Sequence, residues 1–297
     1  MALDQNEIDL REVTLSLSIN GQLKTFSSPM GIKSTGKINA NPLESEIEIK
    51  IANVSKSDQD YLLTACSPYN KNPTPKVAVL SAGRASVGTN IVFQGNITSC
   101  NPTQPPDIEL NFKCQAHQYI KGNIIAASQP ASVAMSQIAK QVAADCGLSC
   151  NFQATDKNIA NYSFTGGALK QVSKINDFGG VAAWVDGDTL YVTDLNVPLK
   201  AQIRVLNLDT GLIGIPKTTE QGVQITYLLD NTSKAGGALQ LESKIYPALN
   251  GNYRIFTLGW DIASREVPFY WIADCKRIDQ SGAVVIPKNV PKRKGRK

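Results

Sequence analysis

Residues 202–230 read Gln-Ile-Arg-Val-Leu-Asn-Leu-Asp-Thr-Gly-Leu-Ile-Gly-Ile-Pro-Lys-Thr-Thr-Glu-Gln-Gly-Val-Gln-Ile-Thr-Tyr-Leu-Leu-Asp. The reading of this stretch decides the fold. Apolar and polar residues alternate over 202–207 and again over 223–229, which predicts two half-buried strands. Between them lie Asp209, Gly211, Gly214 and Pro216, residues that tolerate turn dihedrals or lack a backbone donor, so a connecting loop is expected there.

Outward from this stretch the same period continues. Strands are predicted at 238–245, 252–260, 268–275 and 283–286, so 201–287 forms one β-rich domain. Near the N-terminus Val13, Leu15, Leu17 and Ile19 alternate with Thr14, Ser16 and Ser18, then Asn20-Gly21 signals a hairpin. Ile47, Ile49 and Ile51 alternate with charged residues, and Ser55 with Asp58 predicts the capped start of a helix over 56–65. Strands near 76–81, 90–98 and 107–114 complete a first β-rich domain, 1–117. The period changes between these two domains. Met135, Ile138 and Val142 recur at helical spacing, with Pro130 expected in the first turn and Gly147 at the C-terminal end. A second helix is predicted over 168–178, stopped by Gly179-Gly180. A hairpin follows over 181–194, turning at Asp186-Gly187. The fold class is therefore mainly β with a smaller α+β part: two β-barrel domains, closed or nearly closed to limit their edges, flank a helix-helix-hairpin domain at 118–200. No repeat between the first and last domains is visible in the periodicity.

A chain of 297 residues accommodates two or three such domains. Its formal charge of +5 misleads, because residues 288–297 hold six of the 30 basic side chains and no acid. The body carries 24 basic against 25 acidic residues. A basic flexible tail on a near-neutral body argues against sequence-specific nucleic-acid binding, which spreads Lys and Arg over a folded face. No apolar run approaches the roughly 20 residues of a membrane span, so no stable membrane anchor is expected. The acidic N-terminus predicts no signal peptide. The six cysteines form no C-x-x-C pair, which favours free, mostly buried thiols.

Several motifs suggest chemistry and are weighed against plainer readings. Gly31 to Lys37 matches G-x-x-x-x-G-K, but Ile38 replaces the hydroxyl residue and a strand follows where a phosphate loop needs a helix. Asp186-Gly187-Asp188 supplies too few oxygens for calcium, and a turn explains it. His117 is the sole histidine and has no nucleophile motif beside it. Asp209-Thr210-Gly211 is the tripeptide of aspartic proteases, whose two aspartates share a proton. The chain has one copy, so catalysis would need a symmetric homodimer. The plainer reading is a structural Asp-Gly turn in which Asp209 bonds local amides. A glycan- or peptide-binding module is the remaining alternative. It would expose aromatics on one face, whereas Trp184, Trp260 and Trp271 fall in predicted strands and read as core. The Met135, Ile138 and Val142 stripe also reads as core. No catalytic, cofactor-binding or metal-binding residue is assigned.

The order Thr210-Gly-Leu-Ile-Gly-Ile-Pro216, then Glu220-Gln-Gly-Val223, then Leu241-Glu-Ser243 resembles the baseplate hub family of contractile-tailed bacteriophages. Ser45–Ser55 and Phe93-Gln-Gly-Asn-Ile97 are similar to segments of its N-terminal half. The resemblance implies two tube-protein-like barrels around a smaller insertion. It also implies a non-enzymatic homotrimer that joins the sixfold tail tube to the threefold central spike. The partners implied are the tail tube protein, the spike, other baseplate (wedge) proteins and the tape measure protein. The location implied is the virion tail baseplate, assembled in the host cytoplasm.

Overall fold

The computed structural model describes residues 9–278 apart from 20, 42–44, 68, 71–75, 118–122 and 221. The predicted strand at 283–286 and the tail at 288–297 lie outside the described residues.

The chain opens with an antiparallel hairpin, β1 (Arg11–Ile19) and β2 (Gln22–Ser27). Next come β3 (Ile32–Asn39), β4 (Glu46–Ala52) and α1 (Lys56–Ala65). Ser55 Oγ accepts the Asp58 amide at 3.3 Å, so the predicted N-cap is in place. β5 (Val77–Arg84), β6 (Gly88–Pro102) and β7 (Glu109–Gln115) follow. The insertion holds β8 (Ile124–Ser128), β9 (Ser132–Ala134), α2 (Met135–Asp145), β10 (Ser149–Phe152), β11 (Asn158–Ala160), β12 (Ser163–Gly167), α3 (Ala168–Asn176), β13 (Val181–Asp186) and β14 (Thr189–Asp194). The last part contains β15 (Arg204–Leu206), β16 (Leu212–Thr219), β17 (Gly222–Leu228), β18 (Ala238–Leu241), β19 (Gly251–Ala263) and β20 (Phe269–Arg277).

Two four-stranded units share one topology. The first has the order β3-β4-β7-β6 and the second β16-β17-β20-β19, each built from two sequential hairpins placed side by side. An accessory strand lies against the opening half of the third strand in each unit. β5 pairs β6 from Gly88 to Asn96, and β18 pairs β19 from Gly251 to Arg254. The units are not separate sheets. β19 of the second pairs antiparallel with β3 of the first, from Thr257↔Asn39 to Ala263↔Lys33. One continuous antiparallel path therefore runs from β16 to β6 and on through β5 and β1 to β2. No pairing among the described residues closes either unit on itself. The mainly β architecture is as expected.

One apolar cluster spans both units, with Leu15, Ile49, Phe112, Tyr227, Ile255 and Trp260 within it. A second fills the insertion around Met135, Ile138, Val142, Val172 and Ile175, so the predicted helix stripe is core. Trp184 and Tyr191 on the outer face of the β13–β14 hairpin belong to the first cluster and dock the insertion onto the sheet.

Several local expectations need correction. Helix α2 begins at Met135, because Ser132–Ala134 pair with β11, so Pro130 precedes a strand rather than a first turn. The amide of Ser136 in that first turn is capped from elsewhere, by Asp156 Oδ1 at 3.0 Å. Gly147 does sit just past the helix with φ +69. Asp186 pairs with Thr189, so the hairpin turn is Gly187-Asp188. Seven strands were not predicted: β8 to β12, which make the insertion richer in strand than helix-helix-hairpin, and β3 and β16. β3 contains Gly36 of the G-x-x-x-x-G-K match, which places that motif in a sheet. β16 occupies most of the segment read as a loop, while β15 keeps only three residues of its strand.

Candidate assembly edges

Strand β16 is the free edge of the second unit, since β17 is its partner and nothing described covers its other side. Its sequence suits an edge. Pro216 cannot donate to a ladder, so an interior position would lose a hydrogen bond. Gly214-Ile215-Pro216 form an irregularity between the pairs Ile213↔Thr226 and Lys217↔Gln224, with Gly214 at φ +65. Bulges of this kind bend an edge away from indiscriminate pairing. The turn leading into β16 is built by Asn207. Its Oδ1 accepts the amides of Asp209 and Thr210, both at 3.0 Å, and its own amide donates to Thr210 Oγ1 at 2.8 Å. The same end of the strand is held by Asp230, just past β17, whose Oδ2 pairs with Arg204 Nε at 2.8 Å. The Asp230 carbonyl also accepts Trp271 Nε1 at 3.2 Å. A rigid frame thus presents Ile203, Leu208 and Ile215 to solvent at 50%, 54% and 51% exposure. Of these, Ile215 lies on β16 itself, while Ile203 and Leu208 lie before and within the turn that leads into it.

The first unit has a matching edge. β6 pairs with β7 over Asn96 to Pro102, while β5 covers its other side only as far as Asn96. Thr103 donates to the Glu109 carbonyl across the ladder at 2.8 Å. In an antiparallel pair, N–H and C=O of one residue point the same way and alternate along the strand. Asn101 therefore faces β7, whereas the Cys100 amide faces the uncovered side, and Pro102 presents no donor there. This half of β6 is the topological counterpart of Thr257–Ala263 in β19, the segment that pairs with β3.

The residues singled out in the sequence lie elsewhere. Asp209 is exposed, and the turn it was expected to brace is braced by Asn207 and Thr210 instead. Asn carries both an acceptor and a donor, and Asn207 Nδ2 uses the donor on Glu242 at 3.3 Å, a bond an aspartate cannot make. His117 adopts φ 59 and its Nε2 meets the Gly187 carbonyl at 2.8 Å, linking the first unit to the insertion. Asp186 stands at an open cleft of about 560 Å³ between insertion and sheet. Burial pushes its carboxyl up, against the pull of Lys234 and His117. Trp184, Trp260 and Trp271 are all buried, as are Cys100, Cys114, Cys146 and Cys275 among six free thiols. Sequence reading missed both edges. Pro216 beside Gly214 was the available signal for one, and only pairing reveals the other.

Residues 11–275 match the family described as Baseplate hub gp41, and the chain belongs to that family. It is a phage-tail baseplate component, structural rather than enzymatic. No curated protein matches. Among solved structures it is similar in fold to the prophage MuSo2 43 kDa tail protein from Shewanella oneidensis. That match has a TM-score of 0.59 and 8% identity, covering 89% of this chain and 96% of that one. A tail protein from Neisseria meningitidis MC58 aligns with a TM-score of 0.59 at 10% identity, covering 91% and 98%. The E. coli c3393 protein aligns with a TM-score of 0.58 at 11% identity, covering 91% and 79%. It is described as a component of the type VI secretion system with structural similarity to T4 bacteriophage tail proteins gp27 and gp5.

Proposed function

We propose that this baseplate hub works as a ring of three copies, in which β6 of one copy takes β16 of the next. The observation that carries the reading is the internal junction β19–β3, where the third strand of one unit pairs with the first strand of the other. Repeating that junction between copies joins the two uncovered edges. The strand sense agrees. The path β16-β17-β20-β19-β3-β4-β7-β6 holds an even number of antiparallel strands, so its two ends run in opposite directions and a copy rotated about the ring axis meets them antiparallel. Such head-to-tail contacts close when the rotation permits.

In this ring the barrel belongs to the assembly. Three copies contribute six equivalent units, giving near-sixfold symmetry to a threefold object, the match needed between a sixfold tail tube and a threefold spike. At a spacing of about 4.8 Å per strand, 24 strands enclose a channel roughly 37 Å across at the backbone. Residues 1–117 and 201–287 are then the two tube-like domains and 118–200 the smaller α+β domain between them in the chain. The tube protein, the spike, the wedge proteins and the tape measure protein are the expected contacts.

Amine cross-linking of the assembled protein, with light and heavy isotope copies mixed, tests this. Lys113 on β7 and Lys217 on β16 are both exposed. Within one chain they lie six strand spacings apart, roughly 29 Å, but two spacings, roughly 10 Å, across the proposed contact. A short reagent should give mixed-isotope Lys113–Lys217 links in a species of three chain masses. A chain that stays monomeric with its spike partner present, or links confined to single chains, would refute the ring.

A further inference from the structure

The insertion does not lie flush against the sheet. The open cleft of about 560 Å³ between them falls within the roughly 300–1,000 Å³ range of ligand sites. Its walls come from three parts of the chain: Asn90 on β6, Asp186 and Asp188 at the tip of the β13–β14 hairpin, and Asp230, Asn231 and Lys234 after β17. The donors of these walls are already spent. Asn90 Nδ2 donates to the Asn231 carbonyl and Asn231 Nδ2 to the Val87 carbonyl, both at 3.2 Å. The Lys234 ammonium leans on the Tyr191 hydroxyl at 3.3 Å rather than on an acid. What faces the cleft is therefore acceptor chemistry, the side-chain oxygens of amides and carboxylates. Of the three acids among its described lining residues, Asp230 is paired with Arg204. Asp186 is half-buried and has no hydrogen-bonded cation among the described residues. Lys234 and His117 attract it without bonding it, and His117 Nε2 is committed to the Gly187 carbonyl at 2.8 Å.

Acceptors gathered around an unbonded carboxylate select a cation rich in N–H groups, an ammonium or a guanidinium. A sugar would want a free aromatic face, and the cleft offers none: Tyr191 is stacked on Trp184 at 5.6 Å and Trp271 is buried. The chain carries such cations in a segment that the ring does not use. Residues 288–297 hold six Lys and Arg and no acid. The described chain ends at Ile278, whose amide donates to the Asn252 carbonyl at 2.8 Å near the start of β19. Leu258, at the cleft, lies six residues further along β19, roughly 20 Å away. Residues 279–287 can span up to roughly 30 Å when extended, so the basic segment is within reach. We propose that the cleft between insertion and sheet receives a lysine or arginine of residues 288–297, seated against Asp186 and Asp188.

A cation seated there ties together walls that belong to both units and to the insertion. This inference is independent of the ring, because both partners belong to one chain. The test couples carboxylates to amines in the full chain with a zero-length carbodiimide, using the Lys33–Glu266 pair at 2.7 Å as internal standard. Within the single-chain species, Asp186 or Asp188 should couple to Lys288, Lys292, Lys294 or Lys297. The second readout is the rate at which trypsin cuts within 288–297 of the folded full chain. Asp186→Asn keeps the shape and removes the charge, and should speed that cleavage on the order of tenfold, the worth of one charge-assisted hydrogen bond. Asp177→Asn, at an exposed acid that does not line the cleft, should leave the rate unchanged. Should Asp186→Asn fail to fold, Asp188→Asn, at an exposed position, decides. The proposal is overturned if the Lys33–Glu266 standard forms without any link to 288–297, or if links to 288–297 join only separate chains. Coupling of Asp186 to Lys121, a lysine of the linker that follows His117, in place of 288–297 also overturns it, as do equal cleavage rates in the wild type and the Asp186 and Asp188 variants.

Discussion

Gly36→Ala should damage the junction on which both units depend. Gly36 sits on β3 directly opposite Trp260 on β19. A Cβ added there would lie 2.6 Å from Ile47 Cγ2, 2.6 Å from Trp260 Cζ2 and 2.9 Å from Trp260 Cη2. Each contact is about an ångström too short, and the indole is held in place. Its Nε1 donates to the buried Ser34 Oγ at 3.0 Å, and its ring meets Trp271 edge-on with centroids 6.3 Å apart. Overpacking a rigid core site of this kind costs about 1–3 kcal/mol. For a chain of this size that is a fall of roughly 2–12 °C in Tm. The assay is chemical and thermal unfolding of Gly36→Ala, Trp260→Phe and the double variant. Trp260→Phe alone removes the outer ring carbons but orphans Ser34, a loss of about 1–3 kcal/mol. In the double variant the Phe ring gives the new methyl room, so the two costs should fall short of their sum by about 1 kcal/mol. A neutral Gly36→Ala, or strict additivity, would refute the claim that the indole is what demands glycine.

Three further outcomes are expected. Asn207→Ala should cost about 0.5–1.5 kcal/mol, because it removes the side-chain bonds that shape the exposed turn before β16, whereas Asp209→Asn should stay within about 0.5 kcal/mol and leave assembly unchanged; denaturant midpoints of the two variants check this. Asp156→Ala should cost about 0.5–2 kcal/mol by uncapping α2, with the loss seen as faster amide exchange in its first turn. Asp58 is held below the usual carboxylate range by the Lys24 ammonium and the Ser55 hydroxyl, against desolvation. A depressed carboxylate stabilises the fold above its unfolded value near 4 and loses that contribution as pH falls through the folded value. The stability gap between wild type and Asp58→Asn should therefore be flat from about pH 5 to 8 and close below about pH 4.

The elements legible in the sequence were those written in local chemistry. The Ser55 cap, the Met135–Val142 stripe, the Gly147 and Gly179-Gly180 stops and the alternation in β1, β4 and β7 each need only a few neighbouring residues, and each is present. What the sequence concealed is non-local. β3 reads Ile-Lys-Ser-Thr-Gly-Lys-Ile-Asn, with small and polar residues through its middle, because Gly36 makes room for a tryptophan more than 200 positions away. Its pairing with β19 supplies the burial that its own composition does not advertise. Asp209 misled for the opposite reason. Three letters matched a catalytic pattern, while the bonds that shape the turn come from Asn207 and Thr210, whose residue types carry no such association.

The same logic explains why two units with one strand order show no sequence repeat. Alternation, turns and a shared order can be met by many residue sets, so topology persists where side chains diverge. Divergence is greatest where the environments differ. β3 and β16 are equivalent first strands, yet β3 is covered by β19 within the chain, while β16 has no partner on its outer side among the described residues. A covered strand can be regular and can use Gly36 for close packing. A strand left as an edge must resist wrong partners in the interval, and β16 carries the devices for that: a proline, a bulge and a glycine at positive φ. The third strands differ in the same way, with Pro102 closing the uncovered half of β6 and no proline in β19. The two sequence departures fall on the two uncovered strands, the ones the proposed ring would bring together, which is what that proposal requires of edges kept from indiscriminate pairing.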